Sequence, residues 1–326
     1  DLEKLIERYA DVRDMSFRPA FFLVVFSLLF GSAAQPEKGP GGSDYLYGVR
    51  SSKHGLGSEQ FWIFEPVGLE SAHLVVFLHG WSAMSPEPYI LWIEHTVRKG
   101  RIVVYPRYQE SLFTRAEDFT PNAIKAVKGA IKELGDGEHV RPELDKMIIA
   151  GHSAGGIISV NMAILAESEG LPSPSALMCV EPGITERNGR KVVPLLDPVR
   201  IPDIPLLVVV GDADKNVGDM DAKKIFSTSR VGIKNYVVMH SDDHGDPALI
   251  ADHYAPLAAR EGWADIHNSV NALDYYGFWK LLDALCDFSF YGKNREYAFG
   301  NTPEQRFMGL WSDGVPVKEL EVYEVL

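Results

Sequence analysis

In this chain of 326 residues, Gly151-His152-Ser153-Ala154-Gly155 is the stretch whose residue types and spacing point most directly to chemistry. An apolar run, Met147-Ile148-Ile149-Ala150, leads into it, and Ile157-Ile158-Ser159-Val160 leads out. A strand entering a helix through Gly-x-Ser-x-Gly puts the serine on a turn so sharp that its hydroxyl stands clear of the sheet. The glycines permit close backbone approach. Amides at the start of the following helix favour negative charge beside the serine. Such a hydroxyl is a weak nucleophile at neutral pH and needs a base, which in turn needs an orienting acid.

Candidates for both follow in the chain. After the run Leu206–Val210 comes Gly211-Asp212-Ala213-Asp214-Lys215-Asn216-Val217, and after Tyr236–Met239 comes His240-Ser241-Asp242-Asp243-His244-Gly245. Serine, acid and histidine thus appear in the order this kind of turn uses. His244, in a polar loop and followed by glycine, is the expected base. His253, in Ala251-Asp252-His253-Tyr254, is its competitor, and His240 stands too close to the strand end. Asp212 and Asp214 are the candidate acids, although an aspartate in such a loop commonly caps a turn. His240, Asp242, Asp243, His244 and His253 match no zinc spacing, and no metal or other cofactor is expected. Oxyanion donors are expected from the Ala154 amide and from the loop His79-Gly80-Trp81, which follows Leu74–Leu78. His79 and His152 are expected to hold the loop and pack beside the turn.

The elements that must position these groups are legible as periodicity. Phe61–Phe64, Leu74–Leu78, Ile102–Tyr105, Met147–Ala150, Leu177–Val180, Leu206–Val210 and Tyr236–Met239 read as strands. Tyr89 to Val97, Ile124 to Leu134 and Asp274 to Cys286 carry helical spacing. Alternation of this kind predicts an α/β fold with a mostly parallel sheet covered on both faces. In such sheets the ligand site lies beyond the carboxyl ends of the strands, where each candidate falls.

These motifs resemble those of α/β-hydrolase serine esterases, the lid-poor dienelactone-hydrolase and cutinase type, over about residues 58–290. The resemblance is carried by His79-Gly80-Trp81, Gly151-His152-Ser153-Ala154-Gly155, and Gly211-x-x-Asp214-x-x-Val217 followed by His244. It implies the α/β-hydrolase fold and cleavage of carboxylic esters through an acyl-enzyme. It implies Ser153 as nucleophile, His244 as base, and Asp214, three residues after the glycine, as acid. It also assigns the second oxyanion donor to the Trp81 amide, alongside Ala154. Glu181, after the preceding strand, is a candidate acid only through this resemblance. A peptidase or acyltransferase with the same triad, or a non-catalytic binding protein of this fold, are the alternatives.

The totals bound the rest. A net charge of −13 argues against nucleic acid as partner. The expected partner is a small-molecule or polymeric ester. Two cysteines, Cys179 and Cys286, fall in expected core elements and read as buried thiols. The apolar run 20–30 and the small residues after it read as a secretory signal, with Ser32 and Ala34 suiting the cleavage positions and Met15 its start, or as a membrane anchor. Export to the periplasm or outside is therefore expected. The expected layout is an N-terminal extension with signal or anchor (1–34), a linker (35–57), the hydrolase domain (58–290) and a C-terminal extension packed on it (291–326). No large helical lid fits between Pro182 and Asp203. Aromatics near strand ends (Trp81, Tyr105, Tyr108) and in the insertion after His244 (Tyr254, Trp263, with His267) are candidates for a pocket wall.

Overall fold

The computed structural model describes residues 31, 33–260 and 270–326. Among these residues the strands are β1 (Gly48–His54), β2 (Phe61–Val67), β3 (Ser71–Leu78), β4 (Ile102–Pro106), β5 (Arg141–His152), β6 (Pro174–Val180), β7 (Glu186–Arg187), β8 (Arg190–Lys191), β9 (Leu206–Gly211), β10 (Lys234–Met239) and β11 (Glu321–Tyr323). All but the β7–β8 hairpin join one nine-stranded sheet in the order β1-β2-β4-β3-β5-β6-β9-β10-β11. From β4 to β10 neighbouring strands are parallel. β1 and β2 run antiparallel at one edge and β11 at the other.

Side chains alternate across each strand, so one apolar run feeds two cores. Val75 and Phe77 of β3 pack on one face, and Leu74, Val76 and Leu78 on the other. The main helices are α1 (Ile90–Arg98), α2 (Phe119–Leu134), α3 (Ala154–Glu169), α4 (Met220–Thr228) and α5 (Trp279–Tyr291). α1 and α5 cover the first face; α2, α3 and α4 cover the second. The helix expected from Asp274 begins as a π turn, Leu273–Phe278, and continues as α5. Cys179 and Cys286 are buried free thiols.

Two boundaries differ from the expected layout. The stretch 35–57 is not merely a linker, because it supplies β1, and the sheet begins at Gly48. As an edge strand with polar residues on both sides, Gly-Val-Arg-Ser-Ser-Lys-His carries no apolar period to reveal it. The residues before it are anchored too: the Gly41 amide donates to Asp283 Oδ2 at 2.9 Å. At the other end, β11 completes the sheet, and buried Lys280 Nζ donates to the carbonyls of Phe307 (2.6 Å), Gln305 (2.8 Å) and Glu304 (3.3 Å). Three ammonium donors thus meet three acceptors.

Residues 1–30 and Ser32, and with them the expected signal or anchor, lie outside the described residues, as do Trp263 and His267. Among the described residues no helix is long and apolar enough to cross a membrane.

Candidate active site

β5 ends at His152 and α3 begins at Ala154, so the whole turn rests on Ser153. Its φ of 57° and ψ of −123° are costly for a residue with a side chain. The surroundings enforce them. A Cβ at Gly155 would overlap the carbonyl oxygens of Leu78 and His79, and one at Gly151 would overlap that of Gly155. The start of α3 can lie against the end of β3 only because both positions are glycine.

His253 reaches the serine. Its Nε2 lies 2.9 Å from Ser153 Oγ, and its Nδ1 lies 2.8 Å from Asp214 Oδ2. Burial alone would raise the Asp214 pKa, but the hydrogen bond and charge of His253, with the Val217 and Asn216 amides, hold it below the usual carboxylate range. Asp212 turns away, accepting from the Ser241 amide and hydroxyl and lying 3.2 Å from His240 Nδ1.

His244, the base expected from sequence, is a correction. Its Nε2 lies 2.8 Å from Asp313 Oδ2, and its ring sits beside Trp311. The cause is a pinch in the chain after β10. Asp242 and Leu249 exchange backbone hydrogen bonds of 2.9 and 2.8 Å. Residues 243–248 are thereby pushed outward against the C-terminal extension. The segment returning after Leu249, not the one leaving β10, brings a histidine to the site. The Trp311 indole (3.1 Å) and the Lys318 amide (2.9 Å) donate to Asp242 Oδ2 and fasten the pinch.

Beneath the elbow runs a second polar chain that the sequence did not disclose. The Gly80 amide donates to the Tyr89 hydroxyl oxygen at 3.0 Å, and that hydroxyl lies 2.8 Å from His152 Nδ1. His152 Nε2 is 3.3 Å from Glu181 Oε2, which is 3.6 Å from His253 Nδ1. Burial, then the charges of Asp214 and Asp252, push the Glu181 carboxyl well above the ordinary range. Burial, then the neighbouring His253, push His152 well below its ordinary value. Each is thereby pushed toward its neutral form, and Glu181 Oε1 has no hydrogen-bond partner among the described residues.

A carboxyl raised by folding holds its proton more tightly folded than unfolded. Its contribution is present below the ordinary carboxylate pKa and declines as pH rises above it. Glu181→Gln should therefore gain thermal stability relative to wild type as pH goes from about 5 to about 8. Melting curves of the two proteins that stay parallel over that range would contradict this.

The loop after β3 is braced by buried rings. Tyr108 donates to the His79 carbonyl (2.6 Å) and Tyr105 to that of Ser85 (2.9 Å). These two tyrosines thus support the loop and do not line the cleft, in contrast to the expectation from sequence. The His79 ring nitrogens lie 2.6 Å from the Gly80 carbonyl and 2.7 Å from that of Arg107, and burial lowers its pKa to about 4. A Cβ at Gly80 would come within 3.3 Å of Ser153 Cβ, so loop and elbow touch. Ser153 and His253 open into a cleft of about 770 Å³ also lined by Trp81, Tyr254, Leu257 and Val217. The segment 182–203 holds the short β7–β8 hairpin.

His152, Glu181 and His253 bring metal-ligating atoms within 4.8 Å of one another, as do His54, Glu133 and His139, and His73, Glu143 and Asp145. In the first cluster Asp214 and Tyr89 already occupy one nitrogen of each histidine. His240, His244 and His253 face three different carboxylates, Asp212, Asp313 and Asp214.

A family model described as Chlorophyllase matches residues 48–209. The match runs from β1 into β9 and takes in the Gly80 loop, the elbow and Glu181, while Asp214 and His253 lie beyond it. No curated protein matches the chain. The Chlorophyllase family consists of α/β-hydrolase-type serine esterases, and sheet order, elbow and family match together make this chain a serine ester hydrolase of that type.

Proposed function

We propose that the chain cleaves carboxylic esters through an acyl-enzyme, with Ser153 as nucleophile, His253 as base and Asp214 as orienting acid. One observation carries this reading: His253 faces the hydroxyl with one nitrogen and a carboxylate with the other. His253 Nε2 takes the Ser153 proton as Oγ bonds the carbonyl carbon. The Trp81 and Ala154 amides receive the oxyanion, and losing one such donor costs roughly 3 kcal/mol of barrier. The tetrahedral species collapses, and the alcohol leaves with the proton from His253. Water then gives a proton to His253 and attacks the acyl carbon; collapse frees the acid and returns the proton to Ser153. Asp214 stabilises the imidazolium formed in each step.

Labelling with a fluorophosphonate, alongside turnover of p-nitrophenyl esters, tests this. Wild type should label and Ser153→Ala should not. Label persisting on Ser153→Ala would place the nucleophile elsewhere.

A further inference from the structure

The cleft lining is mixed: apolar Trp81, Tyr254 and Leu257 share it with Arg187, Lys215 and Asn216. Among the described residues, Arg187 and Lys215 are the lysine and arginine side chains that line it. In a chain with 45 acidic against 32 basic residues, a cation at a cleft mouth would ordinarily find a carboxylate. Among the described residues these two form no ion pair, and acidic residues nearby in the chain have other partners. Asp214 Oδ1 accepts the Asn216 (2.8 Å) and Val217 (3.1 Å) amides while Oδ2 faces His253. Asp219 pairs with Lys223 at 2.7 Å, and Asp221 accepts the Thr185 amide at 2.8 Å.

The hairpin that carries Arg187 is a built one. Asn188 and Gly189, with φ of 51° and 73°, make the tight two-residue hairpin loop that matches strand twist. The Val192 and Val193 amides donate to the carbonyls of Thr185 (2.9 Å) and Ile184 (3.1 Å), and Asp221 ties the hairpin to α4. In this register Arg187 stands directly opposite Arg190. Like charges directly opposite each other across a ladder are destabilising.

We propose that the cleft takes esters bearing a carboxylate, which Arg187 and Lys215 hold, with the apolar remainder against Trp81, Tyr254 and Leu257. A single carboxylate fits better than a polyanion, which the net charge of −13 would repel. The inference rests on the esterase reading above. It deepens that reading by naming the substrate class.

The test compares monoethyl adipate with ethyl heptanoate, a neutral ester of similar length, by ethanol release at low ionic strength. Wild type should favour the half-ester in kcat/KM. Arg187→Gln combined with Lys215→Gln should lower that preference by about threefold to tenfold, through KM. Added salt at about 0.5 M should do the same to wild type. Equal turnover of both esters by wild type, or a preference unmoved by the double substitution, overturns the inference and leaves the esterase reading intact. Failure to hydrolyse either ester, with no fluorophosphonate label on Ser153, would overturn the esterase reading itself.

Discussion

Replacing His253 by alanine is expected to lower kcat for a simple ester by about ten-thousand-fold, whereas His244→Ala should change it by less than about twofold. The contrast follows from position. His253 Nε2 lies 2.9 Å from Ser153 Oγ, while His244 bonds Asp313 on the far side of the Asp242–Leu249 pinch. Without His253 no group takes the serine proton, and what survives is binding and oxyanion stabilisation. Without His244 a partly exposed contact with Asp313 is lost, away from the serine. Steady-state kinetics on both variants, with circular dichroism to confirm folding, decides the matter. A large kcat loss in His244→Ala, with His253→Ala nearly active, would reverse the assignment.

Two carboxyl groups converge on His253 Nδ1, and they should differ sharply when each is made an amide. Asp214→Asn removes the charge that stabilises the imidazolium and allows the wrong tautomer, so kcat should fall by about a thousandfold to ten-thousand-fold. Glu181→Gln should cost less than about tenfold. Glu181 lies 3.6 Å from the same nitrogen, but burial pushes its carboxyl well above the ordinary range, so it has less negative charge to lose. The amide keeps its shape between His152 and His253. Rate against pH for both variants separates the roles. Equal losses would mean that Glu181 shares the negative charge. A double-mutant cycle would then measure how strongly the two acids couple.

Much of this site is legible in the residues themselves. The elbow announces itself because its requirements are local: a strand, two glycines whose Cβ atoms would collide, and a helix that starts at Ala154. The buried parallel strands are equally plain, since both faces are covered and every position is apolar. β1 and β11 are not legible, because an edge strand needs no apolar alternation. The chain Tyr89–His152–Glu181 leaves no trace in spacing either. Its members lie on three separate segments, and their ring and carboxyl atoms meet only once the sheet has formed.

From sequence alone came the fold class, the elbow that carries Ser153 and the strand ends beyond which its neighbours lie. Asp214 lay within reach of such reasoning because it stands three residues past Gly211, on a turn its own carboxylate organises by accepting the Asn216 and Val217 amides. The histidine did not. Which of His244 and His253 returns to the sheet depends on the Asp242–Leu249 pairing and on Trp311 and Lys318 clasping Asp242 from about seventy residues away. Local periodicity records which face a residue shows to its neighbours. It carries nothing about a loop closed by contacts so distant in the chain, and so only the tertiary structure brings His253, and not His244, beside Ser153.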